Sequence, residues 1–350
     1  MLKSIILSIG IFSIIGTLLP LSKSPRWWVR VFDFPRLQII VLALLSLFGY
    51  YLSTTSFELA DQIFLGILAG CILYQAAKIL PYTFFFSEEV RGSQKKNHKD
   101  QVSLLVTNVL MTNRESVKCL SMIRNADPDL ILAVETDKWW EKELKILEEL
   151  YPYRSYAPLA NTYGMLLFSK LKLLECEIKY LLDHNIPSVH CTVQLPSGAI
   201  IKFFGVHPKP PAPGQSKSSV HRDAELIIVG KEAKASHHPV IVAGDLNDVA
   251  WSHTTHLFQK ISGLIDPRVG RGLFPTYNSK YPLFRWPLDH VFHSNHFKLV
   301  ELKRLENIES DHFPIYIKLS YEPEEQKKQE EPEADSSEKK EAKEKIEQAK

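Results

Sequence analysis

Gly244-Asp245-Leu246-Asn247-Asp248 closes the apolar run Pro239 to Ala243. Leu288-Asp289-His290 interrupts the run Leu288 to Phe292, and Ser310-Asp311-His312 adjoins the run Phe313 to Leu319. Short apolar runs of this kind read as buried strands, and polar residues at strand ends lie where an α/β core presents its chemistry. The three motifs are therefore expected to meet in one site. Carboxylates, an amide and two histidines in one cleft suit a hard divalent cation and a phosphate ester, whereas thiolates would suit zinc.

Composition narrows the classes further. The four cysteines, Cys71, Cys119, Cys176 and Cys191, show no metal-ligand spacing, and their scatter gives no sign of a disulfide framework. There is no Gly-x-Ser-x-Gly elbow and no Gly-rich phosphate loop followed by Lys, which disfavours covalent serine hydrolysis and nucleoside-triphosphate motor chemistry.

Working outward, strand-like and helical runs alternate from Val102 to about Leu319. Strands are expected at Val102 to Val106, Asp129 to Val134, Gly164 to Phe168, His190 to Leu195, Ile200 to Val206 and Val240 to Ala243. Helices are expected at Ser116 to Asn125, Lys138 to Leu150 and Ser219 to Ala235. That order favours a layered α/β architecture over a bundle or an all-β barrel. At the strand ends the polar residues come in the order Asn108, Glu135, His207, Asp245, Asn247, Asp289, Asp311 and His312.

In these ordered motifs the chain resembles the endonuclease/exonuclease/phosphatase superfamily, which includes deoxyribonuclease I, exonuclease III, neutral sphingomyelinases and inositol polyphosphate 5-phosphatases. The likeness spans about Val102 to Leu319. It implies a four-layer α/β sandwich, two packed mixed sheets flanked by helices, and Mg²⁺- or Mn²⁺-dependent phosphoester hydrolysis. Glu135 would be the principal metal carboxylate, with Asn108 supporting the metal shell. Asp245 and Asn247 would orient the attacking water and grip the phosphate, and Asp311 and His312 would close the site. Asp289 would hydrogen-bond His312 and favour its cationic form. His207 falls where many members place a second histidine on the phosphate or leaving group. Val134 stands where many relatives have Gln, and Leu246 replaces a frequent Phe.

Further substrate contacts are less specific. Tyr153 of Pro152-Tyr153-Arg154 is a candidate phosphate contact, with packing as the alternative. Asp266-Pro267-Arg268, Gly270-Arg271-Gly272 and Pro275-Thr276-Tyr277 resemble a substrate-side loop of bacterial membrane-anchored members, so Arg268 and Arg271 are candidate phosphodiester readers or solvated loop charges.

Outside that region composition changes abruptly. Residues 1–85 read as a membrane anchor with about three transmembrane helices, at Ile5 to Leu21, Leu37 to Leu52 and Ile63 to Leu80. The second is marginal in length and the third carries Gln75 and Lys78, so a re-entrant or interfacial helix is the alternative for either. Trp27, Trp28 and Arg30 suit the headgroup region. Residues 86–100 read as a basic linker, 101–320 as the catalytic domain, and 321–350 as a charged, disordered tail, partly helical through Glu/Lys pairs. Lys23, Arg26, Arg30 and Arg36 in the first loop and Arg91, Lys95, Lys96 and Lys99 after the third span place the catalytic domain in the cytoplasm. Two spans, or a cleaved first segment, would change that assignment, but no convincing cleavage site is present.

The chain is thus expected to be a multi-pass membrane phosphodiesterase that attacks by water without a covalent intermediate. Its substrate is left among nucleic acid, a phospholipid headgroup and an inositol phosphate. The competing class is a non-catalytic membrane scaffold recruiting partners through its tail. Lost metal ligands would mark such a protein, and none is lost.

Overall fold

The computed structural model describes residues 1–350 except Lys96. In chain order its helices are α1 (Leu2–Leu18), α2 (Trp27–Arg30), α3 (Arg36–Ser53), α4 (Leu59–Ile79), α5 (Ser116–Ala126), α6 (Lys138–Leu144), α7 (Val220–Lys234), α8 (His253–Ser262) and α9 (Ser336–Ala349). The strands are β1 (Gln101–Asn108), β2 (Leu130–Val134), β3 (Tyr153–Ala157), β4 (Met165–Ser169), β5 (Lys172–Lys179), β6 (Ser188–Gln194), β7 (Ile200–Gly205), β8 (Val240–Asp245), β9 (Asp289–His293), β10 (Phe297–Arg304) and β11 (Ile315–Tyr321).

Every residue of β1 and of β2 is buried, because both faces of their sheet are covered. A strand covered on both sides needs no polar alternation, which is why these segments read as continuous apolar runs. Leu104, Val106, Leu132 and Val134 face the second sheet, where they meet Val189, Phe203, Ile241 and Ala243. Leu105, Ile131 and Ala133 face the other way and pack on Cys119, Ile123, Trp140 and Leu144 of α5 and α6. On the far side, Phe204, Val242 and Phe292 pack on Leu226, Val229 and Phe258 of α7 and α8. The result is four layers, helix, sheet, sheet, helix. Truncating a fully buried side chain between the sheets, such as Leu132→Ala, should cost about 2–5 kcal/mol.

One sheet has the order β10-β11-β1-β2-β4-β3 and the other β5-β6-β7-β8-β9. Each is mixed, with one parallel pair: β1 with β2, and β7 with β8. Parallel neighbours end on the same side. Asn108 and Val134 are register partners at the ends of β1 and β2, and Asp245 at the end of β8 lies opposite Asp289 at the start of β9.

The segments Leu2–Ser22, Arg36–Ser53 and Leu59–Tyr82 are long and apolar enough to cross a membrane, by length and composition. The middle one is a continuous helix of 18 residues rather than a broken one. They leave Phe12, Leu45, Phe48 and Leu73 exposed while enclosing a polar chain, Thr17 to Gln75 to Arg36 to Asp33. Arg30, expected among headgroups, is instead buried against Asp33 and the Pro20 carbonyl, since Asp33 offers it a charge partner. Their ends are fastened to the sandwich: Trp251 Nε1 donates to Asp33 O (2.7 Å), Tyr82 Oη to Ala250 O (2.8 Å), and Gly270 N to Pro81 O (2.8 Å).

Three expectations are corrected. The stretch after Tyr321 is not a solvated tail. Helix α9 starts with a capping box at Asp335 and lays Ala342 and Ile346 on Ile227, Leu257 and Ile261, while Lys345 reaches the buried Asp223 at 2.9 Å. Two apolar residues one turn apart, backed by ion pairs to a charged partner surface, suffice to dock a helix whose composition alone could not build a core. The expected basic linker is likewise fastened at Val90 to Ser93. Val90 is fully buried, and the backbone at Arg91 and Ser93 hydrogen-bonds Leu299 of β10, because that edge has free donors and acceptors. Finally, Cys176 and Cys191 occupy opposite positions on β5 and β6, with Cα atoms 4.1 Å apart, and are joined as a disulfide. Their separation in sequence hid a direct cross-strand pair.

Candidate active site

Gly244 turns the chain at the end of β8 with φ of 146°, and a Cβ there would lie 1.8 Å from the Val206 carbonyl oxygen. Only glycine fits, which explains why the motif begins with it. Asp245 then accepts from Asn247 N through Oδ1 (2.9 Å), and Asn247, in the left-handed region at φ 51°, donates through Nδ2 to Pro208 O (3.0 Å). The loop is held from behind by Arg222 of α7, which donates to Asn247 O (2.9 Å) and pairs with Asp248 (3.2 Å).

Glu135 follows β2 at φ 60°, a conformation that a non-glycine residue adopts at a cost and that often accompanies function. Asn108 Nδ2 bridges it to the other sheet, donating to Glu135 Oε1 (2.8 Å) and Asp245 Oδ2 (3.1 Å). Burial raises the Glu135 pKa to about 7, against the lowering effect of the Asn108 hydrogen bond. The Asp245 carboxyl is also raised by burial, with His312 opposing.

His312 is held by four contacts. Its backbone N donates to Ser310 Oγ (3.1 Å), and that hydroxyl donates to Asn108 O (2.7 Å), tying the third motif to the first sheet strand. Its Nδ1 lies 2.7 Å from Asp289 Oδ2, its Nε2 lies 3.5 Å from Asp245 Oδ2, and Tyr277 covers the ring at 5.0 Å. Burial alone would lower its pKa, but Asp289 and Asp245 override it and raise the group to about 10. His312 is therefore an imidazolium at neutral pH. His207 differs: burial lowers its pKa, its Nε2 is 3.8 Å from Asp245 Oδ2, and its Nδ1 has no protein partner.

Asp245, Asp289 and His312 bring ligand-type atoms within 4.8 Å of one another. A protonated imidazole between two carboxylates already offsets one of their charges, and a cation seated on the same atoms would repel it. Glu135 has fewer charge partners, and Asp311, which lies close enough to raise its pKa, has a buried Oδ1 without a partner. Hard oxygen donors with unmet demand fit a hard divalent cation.

The family model for the endonuclease/exonuclease/phosphatase family matches residues 105–312, more than half of the chain. The chain belongs to this family. Its members are metal-dependent phosphoester hydrolases, and so is this protein. Among solved structures, a humanized Danio rerio TDP2 is 18% identical with a TM-score of 0.52, covering 63% of this chain and 99% of that one. The human Nocturnin catalytic domain with bound sulfate is also 18% identical at 0.52, covering 64% and 95%. A family member from Beutenbergia cavernae DSM 12333 is 16% identical at 0.52, covering 64% and 72%. At these identities the likeness concerns the fold. No curated protein matches the chain significantly.

All eight strand-end residues expected from the sequence, Asn108, Glu135, His207, Asp245, Asn247, Asp289, Asp311 and His312, lie at this end of the two sheets. The three added substrate contacts do not. Tyr153 pairs with Ser169 at the opposite end of β4 from Met165, which neighbours Val134 and the site. Arg268 is buried in a fork with Asp266 (2.7 and 2.9 Å) and touches His290 Nδ1 (2.6 Å), whose Nε2 meets Asp248 O (2.8 Å). Its charge is spent on supporting β9. Arg271 is bound to Glu88 and the Val90 carbonyl. Trp251, three residues past Asp248, is buried and donates to Asp33 O. Sequence reasoning did not assign Arg222, Ser310, Tyr277 or Tyr163, whose ring lies 5.6 Å from His207. Ser310 and Tyr277 sat inside quoted motifs, but no site role was given to either.

Proposed function

We propose that the protein is a membrane-anchored, Mg²⁺- or Mn²⁺-dependent phosphodiesterase whose catalytic domain lies in the cytoplasm. The observation that carries the chemistry is His312 locked between Asp289 (2.7 Å) and Asp245 (3.5 Å), beside Glu135, whose carboxylate accepts from Asn108 and the Met111 N–H and has no cationic partner among the described residues. Glu135, with Asn108 and Asp311 around it, would hold the metal. When bound, the metal supplies positive charge that polarises the phosphate and offsets charge in the transition state.

The remaining groups act around the phosphorus. Asp245, fixed by the Asn247 amide and raised by burial, accepts a proton from the attacking water. The new water oxygen–phosphorus bond forms as the ester bond breaks in line with it. His312 stabilises the negative charge that gathers on the non-bridging oxygens, at a cost already met in the folded state. Neutral His207 offers an N–H to the phosphate, and Asn247 keeps the Pro208 segment beside it.

Three long apolar helices with exposed outer faces support the anchor. Two observations bear oppositely on its side. The basic residues Lys23, Arg26 and Lys99 favour the cytoplasm, while the Cys176–Cys191 bond would persist in an oxidising compartment. The basic residues carry the proposal, because opposite positions on paired strands bring two thiols within bonding reach in either compartment. Purified full-length protein, assayed with Mg²⁺ against single-stranded DNA, RNA, phospholipid vesicles and inositol phosphates, tests the function. No metal-dependent hydrolysis of any of them would refute it.

A further inference from the structure

The loop Asn278-Ser279-Lys280-Tyr281-Pro282-Leu283-Phe284-Arg285-Trp286 joins the site to the membrane helices. At its base Ser279 N donates to Asp311 O (2.8 Å), and Tyr277, just before it, covers His312. At its tip the Leu283 carbonyl accepts from Gln38 Nε2 (2.6 Å), and Gln38 is in the first turn of α3. Trp286 meets Phe34, which precedes α3, edge-on at 5.7 Å. The loop is braced internally: Asn278 N donates to Phe284 O (3.1 Å) and Arg285 Nη2 to Ser279 O (2.8 Å).

Such bracing makes the exposure of its apolar side chains a fixed property. Tyr281 is 61% exposed, Leu283 79% and Phe284 53%, with none of them folded back onto the sandwich. Phe84 and Phe85, just past the end of the third apolar helix, are each 77% exposed. Exposed aromatic and aliphatic residues at the mouth of apolar helices long enough to span a membrane match the chemistry of a bilayer interface, where an apolar body is buried and a polar edge stays wet. Lys280 adds a cation suited to anionic headgroups.

We infer that the loop 278–286 seats in the same leaflet the helices leave, holding the His312 site against the bilayer surface, and that the substrate is the phosphoester headgroup of a bilayer lipid. This rests on the membrane anchoring proposed above. Stacking of unpaired bases would use Tyr281 and Phe284 but not the aliphatic Leu283, the most exposed of the three and the one tied to α3, whereas a lipid presents its headgroup from that side.

The test uses the full-length chain with Mg²⁺ in vesicles of phosphatidylcholine, phosphatidylglycerol and sphingomyelin. Resistance to alkaline carbonate extraction checks the anchor separately. The variant Tyr281→Ser/Leu283→Ser/Phe284→Ser should release headgroups about tenfold more slowly or worse, while hydrolysis of soluble bis(4-nitrophenyl) phosphate stays within about twofold, since only the apolar contact with the bilayer is lost. A bimane label at Leu283→Cys, with the two free thiols Cys71 and Cys119 changed to Ala, should be quenched by doxyl-labelled lipid. Equal effects on both substrates, an unquenched label, or a wild type that cleaves oligonucleotide but no vesicle lipid would overturn the inference.

Discussion

Asp289→Asn removes one negative charge from a 2.7 Å contact with His312 Nδ1 while preserving side-chain shape. His312 is raised to about 10 against the lowering effect of its burial, mainly by Asp289 and Asp245. An opposite charge at this distance moves a pKa by roughly 1–3 units, so the variant's imidazole should titrate about 1–3 units lower. A group with a raised pKa keeps its charge below that pKa and loses it above. The wild type should therefore keep its imidazolium through neutral pH, and a cation at Glu135 would place the alkaline limb somewhat below 10. In Asp289→Asn that limb should move down by about 1–3 units, which leaves at least about half of the imidazole protonated at pH 7, so a fall in turnover there on the order of 10- to 100-fold would report the lost orientation of the ring and the lost charge would show above the shifted limb. His312→Ala should lose on the order of 100-fold or more, and the double variant far less than the product of the two losses, because the pair acts as a unit. The assay is kcat and KM for bis(4-nitrophenyl) phosphate across pH at saturating Mg²⁺. An unshifted alkaline limb in Asp289→Asn, or multiplicative losses, would refute the assignment of charge to His312.

Burial holds the Glu135 carboxyl near 7, so metal binding must displace a proton below that pH, and calorimetric Mg²⁺ affinity should fall about tenfold per pH unit below 7. A pH-independent affinity would place the ion elsewhere. Burial works to raise Asp223, but Arg222 and Lys345 hold it down to about 2, so its contribution is present above about 4 and lost as pH falls toward 2. Lys345→Ala should lower the melting temperature of the full chain by roughly 2–8 °C at neutral pH, for a cost of about 1–2 kcal/mol; an unchanged melt would show that α9 is not anchored there. A reporter fused after Lys99 should behave as cytoplasmic. Periplasmic reporter activity at that junction would reverse the topology.

The parts of the fold legible in sequence were those where one physical demand dominates. β1, β2 and β8 are covered on both faces, so their apolar runs announce them. β5 and β10 are partly exposed, and their mixed sequences, such as Lys-Leu-Leu-Glu-Cys-Glu-Ile-Lys, gave no such signal. In the site, residues that touch one another at strand ends were readable because Gly244, Asp245 and Asn247 must combine turn geometry with donors and acceptors. Arg222 and Arg268 were not readable, since whether an arginine faces a substrate or a buried aspartate depends on tertiary packing. The docking of α9 was hidden for the same reason: its partners Asp223, His253 and Lys260 lie far away in sequence.

The most direct test of phosphoester hydrolysis by a metal held at Glu135 is the rate of bis(4-nitrophenyl) phosphate hydrolysis by wild type and Glu135→Gln during chelation and Mg²⁺ re-addition. Wild-type activity should vanish with chelator and return with Mg²⁺, while Glu135→Gln, which keeps the side chain's shape but loses the hard anionic ligand, should need far more Mg²⁺ and reach a lower rate. Hydrolysis that survives chelation, or an identical Mg²⁺ dependence in the two proteins, would contradict it.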